Sequence, residues 1–293
     1  MLGNDKGEVL KKEKFSTQDC NGTIKKIIDA ADRMGECDAI GISCGGPLDS
    51  ERGIIMSPPN LPGWDNIEIV KMLKEKFNVP VFLKNDADAC SLAEWKFGAG
   101  RGAENMIFLT FGTGLGAGLI LNGRLYSGAC DMAGEVGHIR LADFGPVGYG
   151  KAGSFEGFCS GGGIAQLGTT VAKERSQMGS PIAFDNEEIS AKTIADAAKN
   201  GDADALEVYR NCAVMLGKGL SILIDILNPE LIVLGSIFQR SEDLLREEME
   251  KVIAKETLSK SRQACKIVAA ELGDSLGDVA ALCVAVCGMR GEL

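Results

Sequence analysis

Apolar runs of strand length alternate along the chain with stretches whose apolar residues recur at helical spacing. The run NMIFLTFG (105–112) is the strongest signal for a buried strand. Helical spacing marks residues 64–77, where Asp65 is predicted to cap the helix, and a long apolar stretch near 202–227. Further strands are predicted in the opening strand–turn–strand segment 1–17 and at 38–43, 79–84, 230–236 and 265–272, and further helices at 23–34, from about 85, near 160–178, near 241–256 and from about 275.

This alternation of strands and helices predicts an α/β fold. No internal repeat of solenoid period is visible in the 293 residues. The chain is long enough for two domains or for one large one.

Composition and charge exclude several classes of function. The chain has 41 Asp and Glu against 31 Lys and Arg, a net charge of −10, and no basic patch, so we expect no nucleic-acid partner. No apolar run has membrane-spanning length, and no signal peptide is visible, so we expect no membrane partner. The ten cysteines are scattered without a C-x-x-C motif, which is typical of reduced thiols in a cytoplasmic protein.

A glycine loop, FGTGLGAG (111–118), follows the strongest strand. Gly112, Gly114 and Ala117 fit the pattern G-x-G-x-x-G/A, but that fingerprint requires a helix next. The residues that follow, LILNGRLYSG, contain an Asn-Gly hairpin signal instead, so the loop is predicted to join two strands. Its N–H groups and the Thr113 hydroxyl suit a phosphate, while a plain glycine-rich turn is the alternative interpretation.

Asn85 and Asp86, in FLKNDADAC, stand where a predicted strand ends and a helix begins. Ligands of open α/β sheets bind at such strand ends. Asn and Asp are also the usual residues that cap a helix N-terminus. Both interpretations stay open, because one residue can cap while its neighbour faces a ligand.

Three motifs occur in a fixed order: GISCGGPLDSERGIIMSPPNLPGW, then NDADACSLAEWKFGAGRG, then TFGTGLGAGLILNGRLYSGACDMAGEVGH. With them the chain resembles the ROK family of bacterial sugar kinases, a branch of the actin-like ATPases. The resemblance runs along the whole chain and is most specific at 79–156. It implies a two-lobed actin-like (ribonuclease H-like) α/β fold with a central cleft. The lobes are expected at 1–104, completed by a C-terminal helix at 276–293, and at 105–275.

The resemblance also implies a role for individual residues. Asp86 would be the general base that takes a proton from a sugar hydroxyl, usually the one on C6. The sugar is expected to contact Gly46, Asn85, Glu135, His138 and Glu156. ATP, as its Mg²⁺ complex, is expected to contact Gly112, Thr113 and Gly114 with its phosphates, and Gly235 and Ser236 with its adenosine.

His138 is the only histidine of the chain. In many members of the family the matching histidine joins three cysteines around a structural zinc ion. Val147, Tyr149 and Ser154 stand where those cysteines would be. Since zinc takes about four ligands and prefers thiolate or imidazole, we expect no structural zinc. His138 would then serve the sugar alone, with Tyr149 and Phe155 as candidates to shape the loop that carries Glu156.

A second departure concerns the beginning of the chain. Family members open with a strand that carries D-x-G-G-T, whereas MLGNDKGEVL matches the strand after it. Either the true start lies upstream, or the chain is a truncation with weak or absent kinase activity. The first interpretation is favoured because all five sugar-site residues are present. Asp88 replaces the last residue of the usual N-D-A-N, and we expect it to matter little.

The leading hypothesis is an ATP- and Mg²⁺-dependent kinase of a hexose or N-acetylhexosamine. A sugar-binding pseudokinase or regulator without turnover is the alternative, and a structural actin-like protein is a third hypothesis. The family is commonly dimeric or tetrameric, so a homodimer or homotetramer is expected.

Overall fold

The computed structural model describes residues 1–180, 184 and 188–293. They form two compact units. The first unit comprises Met1–Phe108, Gly118–Gly134 and Glu271–Leu293, and the second comprises Leu109–Ala117 and Glu135–Ala270. The lobe boundaries at 104 and 276 stay a prediction.

The described strands are short. In chain order they are β1 (Leu2–Gly3), β2 (Val9–Lys11), β3 (Ile40–Cys44), β4 (Leu48–Asp49), β5 (Ile54–Ile55), β6 (Val81–Asn85), β7 (Met106–Leu109), β8 (Ala117–Leu121), β9 (Arg124–Leu125), β10 (Val147–Gly148), β11 (Lys151–Ala152), β12 (Leu231–Leu234) and β13 (Lys266–Ala269).

The helices include most of those that the sequence predicts. In chain order they are α1 (Cys20–Met34), α2 (Ile69–Phe77), α3 (Asp86–Phe97), α4 (Phe155–Phe158), α5 (Gly161–Gln177), α6 (Ala191–Lys199), α7 (Ala203–Leu227), α8 (Ile237–Glu256), α9 (Ser259–Ala264) and α10 (Leu276–Arg290), with 3₁₀ turns at Val136–His138 and Gly273–Ser275.

In the first unit, β3 and β6 pair in parallel from Ile40 opposite Val81 to Cys44 opposite Asn85. Helix α10 packs closely on β3, because a Cβ on Gly41 would lie 2.2 Å from the carbonyl oxygen of Ala281. A core of buried apolar residues lies under these strands. Both strands therefore end at the same edge, where β6 runs directly into α3.

The hairpin predicted from the Asn-Gly signal is confirmed: β8 and β9 pair antiparallel, with Ile120 opposite Leu125. Asn122 and Gly123 both have positive φ, 53° and 69°, as a two-residue hairpin turn of this kind requires.

In the second unit, β12 and β13 pair in parallel, and α7 packs along α8. Helix α7 supplies much of the core, including Tyr209 and Leu216, which are at most 1% exposed. Gly219 lets α7 approach the ring of fully buried Phe155, because a Cβ there would lie 2.3 Å from it. Phe155, the first residue of the short helix α4, therefore anchors that helix to α7.

The prediction of a helix from residue 64 capped by Asp65 is wrong. Helix α2 begins at Ile69, and Asp65 accepts a hydrogen bond from the Ser57 hydroxyl instead. Trp64 is 4% exposed in the core, and Ile67 forms an antiparallel bridge with Ile55. Tertiary packing keeps residues 64–67 out of the helix, which begins only at Ile69. Separately, none of the described helices is long and apolar enough to span a membrane.

Candidate active site

Asn85 is the last residue of β6 and the N-cap of α3. Its Oδ1 accepts a hydrogen bond from the backbone N–H of Asp88 at 2.7 Å, which confirms the predicted helix cap. The cap engages the amide oxygen, and a role of the side chain toward a ligand stays a prediction. Asp86 follows as the first residue of the helix.

The carboxyl group of Asp86 is in a setting suited to a base. Its side chain reaches solvent, and Oδ1 accepts from the N–H of Ala87 at 2.9 Å. Desolvation by the surrounding protein raises the pKa of Asp86 above its ordinary value, while the backbone bonds to Ala87 and Asp86 oppose that shift. A raised pKa makes a carboxylate a stronger proton acceptor.

Gly46 lies in the same unit, in the exposed turn between β3 and β4. A Cβ on this residue would meet nothing closer than 4.0 Å, the nitrogen of Leu48. Packing within the protein therefore does not require glycine here, and a role toward substrate stays a prediction.

The glycine loop of the second unit is tied to two helix N-termini. The N–H of Gly161, the first residue of α5, donates to the carbonyl of Gly112 at 2.7 Å. The N–H of Ile237, the first residue of α8, donates to the carbonyl of Phe111 at 2.9 Å. Helix N-termini carry positive partial charge and favour anions, so the loop and both helices suit a polyphosphate.

A cavity of about 700 Å³ opens at this place in the second unit. Its size is that of ordinary small-molecule sites. One end is formed by the glycine loop and the start of α5. The other end is lined by α6 and the first turns of α8, including Lys192, Lys199, Arg240 and Ser241. Lys199 is fixed there, since its Nζ donates to the carbonyl of Arg240 at 2.6 Å.

Gly235 and Ser236 join β12 to α8. The N–H of Gly235 donates to the carbonyl of Leu109 at 2.9 Å, which sets this turn beside the strand that enters the glycine loop. Ser236 lines the cavity and has φ 27° and ψ −82°, a conformation that L residues rarely adopt. Strain of this kind is common where backbone approaches a ligand.

In the second unit, Glu156 and the turn before His138 lie against the glycine loop. One carboxylate oxygen of Glu156, in the first turn of α4, accepts from the N–H of Leu115 at 3.0 Å. The backbone of Gly137, which precedes His138, also lies against the loop. A Cβ on this glycine would lie 2.2 Å from the carbonyl of Leu115 and 3.1 Å from Cβ of Glu156. Glu135 and His138 flank that glycine in a 3₁₀ turn. The fold therefore brings the Glu156 carboxylate to the loop and sets the backbone turn that carries Glu135 and His138 beside it, while their contact with sugar stays a prediction.

The residues in place of the zinc cysteines do not form a zinc site. Ser154 uses its hydroxyl to accept from the N–H of Gly157 at 3.0 Å, Val147 is apolar, and Tyr149 is 69% exposed. In the described part of the chain no group of three or more His, Cys, Asp or Glu could hold a metal ion. The donor set does not fit structural zinc, and its absence from the protein stays a prediction.

Hydrogen bonds hold the loop between His138 and Glu156 in place. Lys151 donates through Nζ to the carbonyl of His138 at 2.7 Å, and Arg140 donates to the carbonyl of Ala152 at 2.7 Å. The ring of Tyr149 meets the His138 imidazole edge-on, with centroids 5.5 Å apart. The ring of Phe155 is fully buried against Gly219 of α7, and its backbone N–H donates to the carbonyl of Ile139 at 2.7 Å. Of the two residues proposed from the sequence, Tyr149 therefore contacts His138, and Phe155 ties the start of α4 to the residue after His138.

Sequence reasoning missed helix α6 and the cavity wall it supplies. The signal was present in Ser190 and Thr193, whose side chains form reciprocal caps with each other's backbone N–H groups. It was overlooked because a Thr stands where the usual capping box has Glu or Gln. The second residue missed is Lys84, a buried cation that directly precedes Asn85.

The described α/β elements define a protein of the actin-like ATPase fold. Within that class the chain belongs to the ROK family, whose model matches residues 1–286. The family resemblance drawn from the motifs is confirmed.

Known proteins of this family are similar to the chain over most of its length. A glucokinase of Halalkalibacterium halodurans is 32% identical over 285 residues, which cover 92% of this chain and 86% of the relative. The crystal structure of a ROK family glucokinase from Streptomyces griseus in complex with glucose and AMPPNP is 28% identical, with a TM-score of 0.77. The match covers 96% of this chain and 93% of that one.

A regulator is similar as well. A xylose repressor of Caldicellulosiruptor bescii is 31% identical over 237 residues, 80% of this chain. The matched region is 59% of the repressor's own length.

Proposed function

We propose that the protein transfers the γ-phosphate of ATP to the C6 hydroxyl of a hexose or N-acetylhexosamine. The observation that carries the proposal is the hydrogen bond from the Leu115 N–H to the Glu156 carboxylate. It joins a predicted sugar ligand to the loop predicted for phosphate. A kinase has to hold acceptor and phosphate side by side, since alignment supplies much of its rate.

ATP is proposed to bind along the cavity of the second unit, as its magnesium complex. The triphosphate would lie on the glycine loop and the N-termini of α5 and α8, and the adenosine between Ser236 and α6. Magnesium bound with ATP would supply positive charge that offsets the phosphate charge. The support is the helix ends tied to the loop, the cavity volume, and the AMPPNP bound by the related glucokinase.

The sugar is proposed to be held by Asn85, Glu135, His138 and Glu156, with the turn at Gly46. A sugar presents many hydroxyls, and fixed acceptors and donors recognise it because a missing hydroxyl leaves buried groups unpaired. The glucokinase of Halalkalibacterium halodurans and the glucose-bound structure support a hexose.

Asp86 is proposed as the general base. Its carboxylate takes the proton of the sugar hydroxyl while the sugar oxygen forms a bond to the γ-phosphorus. The bond from that phosphorus to the bridging β–γ oxygen breaks, and ADP leaves with the electron pair. A positioned base contributes roughly 10²–10⁴-fold in rate.

The test is ADP formation from MgATP with a panel of hexoses and N-acetylhexosamines, followed by ³¹P and ¹³C NMR of the product. We expect ADP only with a sugar present and phosphate on C6. Phosphate at another position would overturn the C6 assignment. ADP formation that does not depend on any sugar would overturn the kinase assignment.

A sugar-binding regulator is the second candidate, favoured by the similarity to the xylose repressor. Calorimetry with the same panel separates the two: sugar binding without ADP formation would replace the kinase by the regulator. Light scattering of the same sample tests the homodimer or homotetramer that the family predicts.

A further inference from the structure

One buried lysine joins its own strand, β6, to two other segments of the first unit. Lys84 is the penultimate residue of β6 and is 8% exposed. Its Nζ lies 3.1 Å from the hydroxyl of Ser50, 3.2 Å from the hydroxyl of Ser127 and 3.9 Å from Oδ1 of Asp131. An ammonium group has three donors, and these three partners surround it.

Asp131 completes the contact between two of those segments. Its carboxylate accepts from both the N–H and the hydroxyl of Ser50, each at 2.7 Å. The backbone of Asp131 has φ 56°, a left-handed conformation that Asp tolerates better than most residues. The carboxylate is thereby turned onto the Ser50 turn.

Asp88 is the second acid of this group. It is 1% exposed, and its Oδ2 accepts from the Ser127 hydroxyl at 3.3 Å. Its Oδ1 is buried without a hydrogen-bond partner. Desolvation raises the pKa of Asp88 to about 7, against the opposing effect of Lys84 and the Ser127 bond and with smaller contributions from Asp131 and Asp86. We call Ser50, Lys84, Asp88, Ser127 and Asp131 the Lys84 cluster.

The cluster is placed next to predicted substrate groups. Lys84 directly precedes Asn85 and Asp86, and Ser50 follows Gly46 by four residues. Ser127 and Asp131 lie in the segment 126–134, whose own fold is held by the bond from the Ala133 N–H to the Ser127 carbonyl. Buried charges are costly unless paired, so removing the cation loosens all three segments at once.

We propose, on the basis of the proposed function, that Lys84 is a positioning residue for sugar. It holds the turn at Ser50 and the segment 126–134 against the strand that presents Asn85 and Asp86. It does not itself contact substrate. The alternative is a cluster that contributes only to the stability of the fold.

The test uses two variants of the full chain and one control. Lys84→Met removes the cation and leaves the Asp131 carboxylate, which is 14% exposed, without its ion-pair partner, so this variant is expected to lose stability for that reason alone. Lys84→Met/Asp131→Asn restores charge balance and keeps an oxygen for Ser50. Lys71→Met, on a lysine whose side chain is 61% exposed, is the matched control.

Hydrogen exchange and kinetics are measured on each. In the double variant we expect a thermal midpoint close to wild type, faster exchange of the Ser50 amide and of residues 126–134, and a KM for sugar raised about tenfold with an unchanged KM for ATP. Lys71→Met is expected to match wild type throughout. Wild-type exchange and wild-type sugar KM in the double variant would overturn the proposal.

The two proposals fail differently. If the wild-type chain forms no ADP with any sugar, the kinase assignment fails. The exchange of the Ser50 amide and of residues 126–134 still decides whether Lys84 holds these segments, and calorimetric sugar affinity replaces KM.

Discussion

The carboxylate of Glu156 and the backbone N–H of Leu115 are joined by a hydrogen bond of 3.0 Å. Leu115 is 4% exposed, so water does not readily replace this acceptor. A side chain predicted to bind sugar therefore also holds the loop predicted to bind phosphate. Substitutions of Glu156 should therefore change the binding of both sugar and ATP.

The pair Glu156→Gln and Glu156→Ala separates these two effects. Glutamine keeps an oxygen for the Leu115 N–H, whereas alanine leaves that buried donor unpaired at a cost of about 1–3 kcal/mol. We expect both variants to raise the KM for sugar, and only the alanine variant to raise the KM for ATP. Steady-state kinetics with each substrate varied in turn measures this. An unchanged ATP KM in Glu156→Ala would show that the bond does not support the loop.

Replacing Ser236 by glycine should stabilise the folded protein. At φ 27° and ψ −82° glycine, which has no Cβ, is less strained than serine, and strain of this kind costs on the order of 1–3 kcal/mol. After the larger chain entropy of glycine is subtracted, Ser236→Gly should raise the free energy of unfolding by about 1 kcal/mol. Urea denaturation measures it. Ser236→Ala is the control, which keeps the strain and should gain nothing; an equal gain in both variants would contradict this explanation.

Asp88→Asn should change how stability depends on pH. The pKa of Asp88 is about 7 in the folded chain, above its ordinary value, so the folded state keeps a proton that the unfolded state has released. Stability from this group is therefore present at low pH and is lost as pH rises from about 4 to 7. The variant lacks that loss, so its free energy of unfolding should gain on wild type, by up to a few kcal/mol, as pH rises.

Urea denaturation at pH 5, 6, 7 and 8 measures the difference between Asp88→Asn and wild type. Asp5→Asn, on a side chain that is 76% exposed, controls for the substitution itself. A difference that stays constant, or that falls as pH rises, would be inconsistent with a proton held by Asp88.

Much of the fold was predictable because local signals agree with the packing. The Asn-Gly turn at 122–123, the cap at Asn85 and the apolar run at β7 each formed what the sequence predicts. Asp65 failed because a core tryptophan and a strand bridge hold its neighbours extended. Local capping preference is worth about 1 kcal/mol and gives way to burial of a large side chain.

The candidate site was predictable only in part. Motif order pointed to Asp86, Glu135, His138 and Glu156, but no sequence pattern shows that Glu156 bonds to Leu115. Lys84 was missed because a lysine in a strand is ordinarily solvated, and its three partners are 34 to 47 residues away, between Ser50 and Asp131. For the same reason the expectation that Asp88 matters little rested on its sequence context and did not include its burial.

Sugar-dependent ADP formation by the wild-type chain and by Asp86→Asn decides whether the protein is a sugar kinase with Asp86 as its base. Asparagine keeps the size and the Ala87 bond but cannot accept the hydroxyl proton. We expect turnover by wild type, a kcat lower by roughly 10²–10⁴-fold in the variant, and calorimetric sugar affinity close to wild type. A variant with wild-type kcat would contradict the role of Asp86.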